Sequence, residues 1–165
     1  MEKKQNNQIS EEKALSRMMN ICAKKEYCTF DIKQKLYRLN LPSEVIERIV
    51  TELINKKFVD NARYTRSFIS DKSRFSKWGL RKIKYSLKLK QIPDSVIDEV
   101  LEELEPNQFT EDLQPIIEQK MKSVKGNTEY DKRAKVIRFA LGRGFEMNDI
   151  IKCLDKISPN EDFTW

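Results

Sequence analysis

Apolar residues recur along this chain at helical spacing, and the whole pattern returns after about fifty residues. The segment 41–53, LPSEVIERIVTEL, aligns without a gap with 92–104, IPDSVIDEVLEEL, at an offset of 51 residues. The same shift aligns the preceding segments, where Ile32 falls on Ile83. A third copy, offset by 53 residues, keeps only the apolar positions: Val136, Ala140, Phe145, Ile150, Leu154 and Ile157. We therefore predict three tandem repeats.

Each copy has room for three short helices. Ser10, Thr29 and Ser43 are candidate N-caps for the helices of the first copy. The Leu-Pro and Ile-Pro pairs at 41–42 and 92–93 disfavour helix and separate the last two helices of each copy. Such short triplets bury little surface alone, so we expect an all-α array of stacked modules. The predicted division is an N-terminal tail 1–10, three-helix modules 11–57, 58–106 and 107–157, and a C-terminal tail 158–165.

The stretch FVDNARYTRSF, residues 58–68, is predicted to join the first module to the second. Asp60 is placed to accept hydrogen bonds from the free N–H groups at the start of a new helix. Ala62, Thr65 and Phe68, followed by Ile69, would give that helix its apolar face.

The composition argues against catalysis and metal binding. Hydrophobic residues make up 39% and charged residues 35%, with few Gly or Pro, which favours helices. The chain has no His, and its three Cys show no CxxC spacing, so we expect neither a zinc site nor a His-assisted nucleophile. No catalytic residue, cofactor or metal is predicted. No apolar run is long enough to span a membrane, and we expect a cytoplasmic protein.

The net charge of +6 favours an anionic partner, and the charges occur in blocks. From Lys72 to Pro93 there are eight basic residues and no acidic one; from Gln91 to Gln119 there are nine acidic residues and no Lys or Arg. We define the basic ridge as four residues at helical spacing: Lys77, Arg81, Lys84 and Lys88. The ridge is either an ordinary solvated face or a binding surface, and we favour a binding surface because no acid in the same helix offsets the repulsion.

Two residues beside the ridge allow two interpretations. Trp78 and Gly79 could form a stacking platform for a base, or Trp78 could pack between helices while Gly79 lets the backbone come close to a neighbour. We favour the packing interpretation.

The motifs VDNARYTRSF and WGLRKIKYSL, together with the module length, resemble the RecX family of bacterial regulators of the RecA recombinase. The residues that match the family motifs, which we expect to be mainly structural, are Asp60, Ala62, Tyr64, Phe68, Gly79, Ile83 and Leu87. Asn61 departs from the motif, since a second acid is common there. The resemblance covers residues 12–104 well and is thin beyond.

The resemblance implies an elongated, curved array that lies in the groove of the RecA–single-stranded DNA filament and modulates, mostly inhibits, its activities. A weak direct contact with DNA, a monomeric state and no membrane partner are also expected. Candidate interface residues for the filament are Arg63, Arg66, Arg74, Lys77, Arg81, Lys84 and Lys88. The main alternative is a helix-turn-helix protein that binds nucleic acid without RecA.

Overall fold

A computed structural model describes residues 8–159, which form nine α-helices and no strand. The helices are α1 (Glu11–Cys22), α2 (Thr29–Tyr37), α3 (Ser43–Asn55), α4 (Asn61–Arg74), α5 (Leu80–Leu89), α6 (Asp94–Glu102), α7 (Leu113–Ser123), α8 (Glu129–Gly142) and α9 (Met147–Ile157). None of these helices is long and apolar enough to cross a membrane. The predicted all-α class is confirmed. Most of the predicted N-terminal tail and of the C-terminal tail lies outside the described residues.

Burial follows the predicted repeat. Four aligned apolar positions are buried in all three copies, with at most 8% of any of these residues exposed. These positions are Ile32, Ile83 and Val136; Leu36, Leu87 and Ala140; Leu41, Ile92 and Phe145; and Ile46, Ile97 and Ile150. Burying a Val, Leu, Ile or Phe side chain contributes about 1.5–3 kcal/mol relative to leaving it exposed, so substitution by a polar residue at these positions would be costly.

The backbone repeats as well as the apolar pattern. The turn before the last helix of each copy contains one residue with a left-handed backbone: Asn40 (φ 56°), Gln91 (φ 54°) and Gly144 (φ 92°). In each turn the residue's N–H donates to a carbonyl three residues earlier. This conformation ends a helix tightly and is tolerated best by Gly and Asn. The three turns are therefore equivalent features of one repeating unit.

The described chain divides into two compact units. Unit 1 comprises the chain up to Ser67 together with Leu87–Val100, and unit 2 comprises Phe68–Ser86 together with the chain from Leu101. The core of unit 1 is built mainly from α1, α2 and α3, and includes Met18, Leu36 and Ile49. The core of unit 2 is built from α7, α8 and α9. Each of α4, α5 and α6 contributes residues to both units. The predicted module boundaries remain a prediction.

Two of the three predicted caps differ from the structure. Ser10 accepts a hydrogen bond from the N–H of Lys13, as expected of an N-cap. Thr29 and Ser43, however, are already the first residues of α2 and α3. The N-cap of α3 is Pro42, which has an extended backbone and no side-chain acceptor. The rigid Pro ring fixes the break one residue earlier than a Ser cap would.

Candidate partner-binding surface

The start of α4 is held by the carboxylate of Asp60. Its Oδ1 accepts a hydrogen bond from the N–H of Arg63 at 3.0 Å, the capping contact that the sequence predicts. The guanidinium of Arg63 donates to Glu26 at 2.7 Å and to the carbonyls of Lys57 and Phe58 at 3.1 and 3.3 Å. Arg63 therefore ties α4 to two neighbouring loops of unit 1, a structural role that sequence reasoning did not assign to it.

Asn61 also has a role that the sequence did not reveal. Its side-chain oxygen accepts from the N–H of Thr29 at 3.0 Å, and its amide donates to the Thr29 hydroxyl at 3.2 Å. The amide of Asn61 therefore caps α2 from 32 residues away in sequence. The departure from the family motif at this position is compatible with the capping role, because an amide can both accept and donate.

The remaining motif residues of α4 are packed. Thr65 and Ile69 are buried, and the hydroxyl of Thr65 donates a hydrogen bond to the carbonyl of Asn61 at 2.7 Å. Ala62, Tyr64 and Phe68 are half-buried. Burial raises the pKa of the Tyr64 hydroxyl, and the acidic groups of Cys28 and Asp31 act in the same direction. Arg66 is exposed on the same helix.

In unit 2, Gly79 lies directly against the turn between α8 and α9. Its N–H donates to the carbonyl of Arg143 at 2.7 Å, and the N–H of Arg81 donates to the carbonyl of Gly144 at 3.1 Å. A Cβ on Gly79 would overlap the backbone of Gly144 and Phe145. Gly79 therefore allows the close backbone approach that the sequence predicts. We call this contact the unit 2 junction.

Unit 1 has an equivalent contact between the first turn of α2 and the turn that precedes α6. Nζ of Lys90 lies 2.6 Å from Oδ1 of Asp31, whose side chain is only 19% exposed. The thiol of Cys28 donates to the other oxygen of Asp31 at 3.3 Å. Burial raises the pKa of Cys28 to about 11. We call this contact the unit 1 junction.

The basic ridge is not a single helical stripe. Because α5 begins at Leu80, Lys77 lies in the connection before it, with a left-handed backbone (φ 53°). The interpretation of Lys77 as a helical residue was therefore wrong. Arg81, Lys84 and Lys88 do lie on α5, at the spacing of one helix face.

Three of the four ridge residues are in exposed ion pairs. Lys77 lies 3.2 Å from Asp112, Arg81 lies 3.7 Å from Glu146, and Lys88 lies 3.6 Å from Asp94. Arg74 and Lys84, by contrast, have no ion pair among residues 8–159. Exposed ion pairs contribute about 0–1 kcal/mol, so a partner's anion could replace these carboxylates at small cost.

Other cations of unit 2 lie on aromatic rings. Nζ of Lys72 and Nζ of Lys82 lie 4.8 and 4.3 Å from the centre of the Trp78 ring. Nζ of Lys120 and Cζ of Arg143 lie 4.6 and 5.1 Å from the centre of the Phe139 ring. The ring of Trp78 is thus contacted by two lysines of the same unit, and sequence reasoning did not predict these contacts.

Two family models match the chain. The model described as RecX, second three-helix domain, matches residues 60–101, and the model described as RecX, third three-helix domain, matches residues 108–154. Together the two matches cover α4, both sides of the unit 2 junction, and α9 as far as Leu154.

Curated relatives match most of the chain. The Regulatory protein RecX of Prosthecochloris aestuarii is 30% identical over 148 residues, which is 90% of this chain and 95% of the relative. The Regulatory protein RecX of Clostridium acetobutylicum is 32% identical over 149 residues, or 87% of this chain and 68% of the relative. That of Clostridium tetani is 32% identical, and the match spans 58% of its length.

Two solved structures share the fold. A crystal structure of regulatory protein RecX has a TM-score of 0.79 with 23% identity, covering 88% of this chain and 71% of that chain. The crystal structure of RecX from Lactobacillus salivarius has a TM-score of 0.78 with 19% identity, covering 89% and 96% of the two chains. At this identity the likeness concerns the fold.

Proposed function

This chain belongs to the RecX family of regulatory proteins, and from that premise we propose that it binds in the groove of the RecA–single-stranded DNA filament. Bound there as a monomer in the cytoplasm, it would modulate, and mostly inhibit, filament extension, ATP hydrolysis, strand exchange and co-protease activity. It would act by binding alone, without catalysis or a cofactor.

The observation that carries this proposal is the family membership, and the repeated architecture supports it. Equivalent turns and buried positions recur in three copies, so the same helical framework is repeated along the chain. A repeating filament offers repeated sites to such a ligand, and several modest contacts on linked modules add up to high avidity.

The proposed interface consists of seven basic residues from α4, from α5 and from the connection between them: Arg63, Arg66, Arg74, Lys77, Arg81, Lys84 and Lys88. The exposed pairs of Lys77, Arg81 and Lys88 can exchange their carboxylates for acidic groups of the filament. Arg63 is the weakest of these candidates, because its guanidinium already has three internal acceptors.

The test is the rate of RecA ATP hydrolysis on single-stranded DNA, with this protein added well below one molecule per RecA. We expect strong inhibition. A variant with Gln at the four ridge positions should lose most of it while keeping its helicity. Gln is preferable to Glu, because Glu at 77, 81 and 88 would face Asp112, Glu146 and Asp94 and would repel them.

A second candidate function is direct binding to nucleic acid without RecA. It is favoured by Arg74 and Lys84, which have no ion pair among residues 8–159. It predicts inhibition only when the protein is added in amounts that saturate the DNA. If the Gln variant inhibits RecA ATP hydrolysis as strongly as the parent does, the four ridge residues are not part of the proposed filament interface.

A further inference from the structure

The outer face of α5 carries two large side chains that are mainly apolar. Tyr85 is 64% exposed and Leu89 is 60% exposed. Because they are four residues apart in one helix, their Cβ atoms lie about 5–6 Å from each other. Single exposed apolar residues are common on protein surfaces, whereas apolar residues that adjoin one another are found at sites of interaction. We call Tyr85 and Leu89 the apolar pair.

The apolar pair lies on the side of α5 where an amphipathic helix is normally polar. The buried stripe of this helix includes Ile83 and Leu87, which are both fully buried. At about 100° per residue, Tyr85 lies about 180° around the helix from the middle of that stripe, and Leu89 about 140°. Neither residue of the pair is therefore placed to add to the core that stabilises the helix.

The repeat shows that the fold does not require apolar residues at these two positions. The aligned residues are Gln34 and Arg38 in the first copy, 51 residues earlier, and Arg138 and Gly142 in the third copy, 53 residues later. All four are exposed. The aligned positions of the buried stripe, by contrast, are apolar in every copy. The apolar pair is therefore a feature of the second copy alone, and packing of the repeat does not explain it.

Basic residues border the apolar pair along the helix. Arg81, Lys84 and Lys88 of the basic ridge lie between the pair and the buried stripe on one side of α5, and Lys82 follows the other side. Interfaces between proteins commonly have an apolar centre and a polar rim. The outer face of α5 has this arrangement, with a rim of positive charge.

The chemistry of the pair indicates a protein partner rather than a nucleic acid. A Tyr ring can stack on a base, but the side chain of Leu89 has no stacking face and no charge to offer a phosphate. Both side chains gain when they leave water for an apolar pocket. The basic rim requires that such a pocket be surrounded by carboxylates, because complementary charges exclude other partners.

We propose that the apolar pair is the anchor by which this chain docks on a RecA protomer, in an apolar depression bordered by carboxylates. This inference rests on the proposed function and adds to it, because it assigns the main contact to protein rather than DNA and to the second copy rather than the first or third. The basic ridge then acts mainly on the rate of association, and the apolar pair on the lifetime of the complex.

The test is the equilibrium binding of the labelled full chain to preformed RecA filaments on single-stranded DNA. Tyr85→Gln/Leu89→Gln removes the apolar pair and introduces a residue that favours helix. It should weaken binding about thirtyfold or more, as expected for residues at the centre of an interface. The matched control is Tyr37→Gln/Ile54→Gln, which removes an exposed Tyr and an exposed aliphatic side chain from the first copy. The control should change the affinity less than about twofold.

Salt dependence and a conservative variant separate the apolar pair from the basic ridge and from damage to α5. Salt does not screen an apolar contact, so the fold loss of the pair variant should be equal at low and high salt. The loss caused by Gln at the four ridge positions should shrink as salt rises. Tyr85→Phe/Leu89→Met retains the apolar area and should bind the filament nearly as tightly as the parent. All variants should keep the helicity of the parent.

Equal losses in the pair variant and in the control variant would overturn the proposal. An equal loss for filaments and for bare single-stranded DNA would also overturn it, since the pair would then contact DNA. If the parent binds the filament no more tightly than bare DNA, the proposed function fails and the anchor with it. If the parent binds the filament tightly and the pair variant binds equally well, only the anchor fails.

Discussion

The two junctions occupy equivalent places in the repeat and are stabilised differently. In unit 1, Lys90 reaches from the turn before α6 to Asp31 in the first turn of α2. In unit 2 the contact is made by backbone groups, with Gly79 donating to the carbonyl of Arg143 beside Gly144. The first junction thus depends on a side-chain ion pair and the second on close backbone packing.

The comparison shows which features a helical repeat must keep. The left-handed turn residue and the buried apolar positions persist in all three copies, because they determine the path of the chain. The charges have diverged freely. Lys82 stands in the second copy where Asp31 stands in the first, so the unit 2 junction lacks the ion pair. Gly79 likewise stands where the first copy has Cys28. Tight backbone packing takes the place of the ion pair there, and the side chains of Lys82 and Arg143 lie over the rings of Trp78 and Phe139.

The largest expected effect comes from adding a methyl group to the unit 2 junction. Gly79→Ala should destabilise the protein by about 2–4 kcal/mol, because the new Cβ would overlap the backbone of Gly144 and the helix start would have to move. Urea unfolding measures the change. The control is Gly142→Ala, where nothing lies within 4 Å of the added Cβ. Equal effects of the two substitutions would show that the close approach is not what stabilises the junction.

The corresponding change in unit 1 should have a smaller effect. Lys90→Met leaves the half-buried carboxylate of Asp31 without its cation and should cost about 1–2 kcal/mol. Lys33→Met removes a cation from the more exposed pair with Glu47 and should cost less than about 0.5 kcal/mol. If Lys90→Met costs as little as the Lys33 control, the ion pair does not stabilise the unit 1 junction.

The cap supplied by Asn61 belongs to the same region as the unit 1 junction. Asn61→Ala removes both hydrogen bonds to Thr29 and should cost about 1 kcal/mol in thermal or urea unfolding. Asn61→Asp introduces the acid common in related motifs and keeps an acceptor for the N–H of Thr29. Its cost should therefore stay below about 0.5 kcal/mol, and a loss equal to that of the Ala variant would contradict the capping role.

The smallest expected effect concerns the rate at which a thiol reagent modifies Cys28. Burial raises the pKa of this thiol to about 11, so its reactive thiolate is scarce below that pH and becomes populated only as the pH rises through it. At neutral pH a thiol reagent should modify the partly exposed Cys22 and Cys153 well before the buried Cys28. Cys28→Ala should remove only the slow phase. A single fast phase of three thiols would show that the unit 1 junction opens readily.

The sequence was sufficient for the elements that repeat. The apolar spacing predicted the helices and the buried positions around Leu36, Leu87 and Ala140, because burial imposes a pattern that survives substitution. The cap at Asp60 and the close approach at Gly79 were also predictable, since few other residue types meet those requirements.

The charged contacts were not predictable. The carboxylates that pair with Lys77 and Arg81 are Asp112 and Glu146, which lie 35 and 65 residues further along the chain. Exposed ion pairs contribute little energy and leave no periodic pattern in sequence. Arg63 was predicted to contact a partner because its internal acceptors could not be read from the sequence. In the structure its guanidinium donates to Glu26 and to two backbone carbonyls.

The most direct test of the regulatory proposal compares the affinity of the labelled protein for preformed RecA filaments on single-stranded DNA with its affinity for the same DNA alone, at one salt concentration. We predict much tighter binding to the filament, with weak binding to bare DNA that salt abolishes first. Equal affinity for both, or tighter binding to bare DNA, would contradict the proposal and identify the protein as a direct nucleic-acid binder.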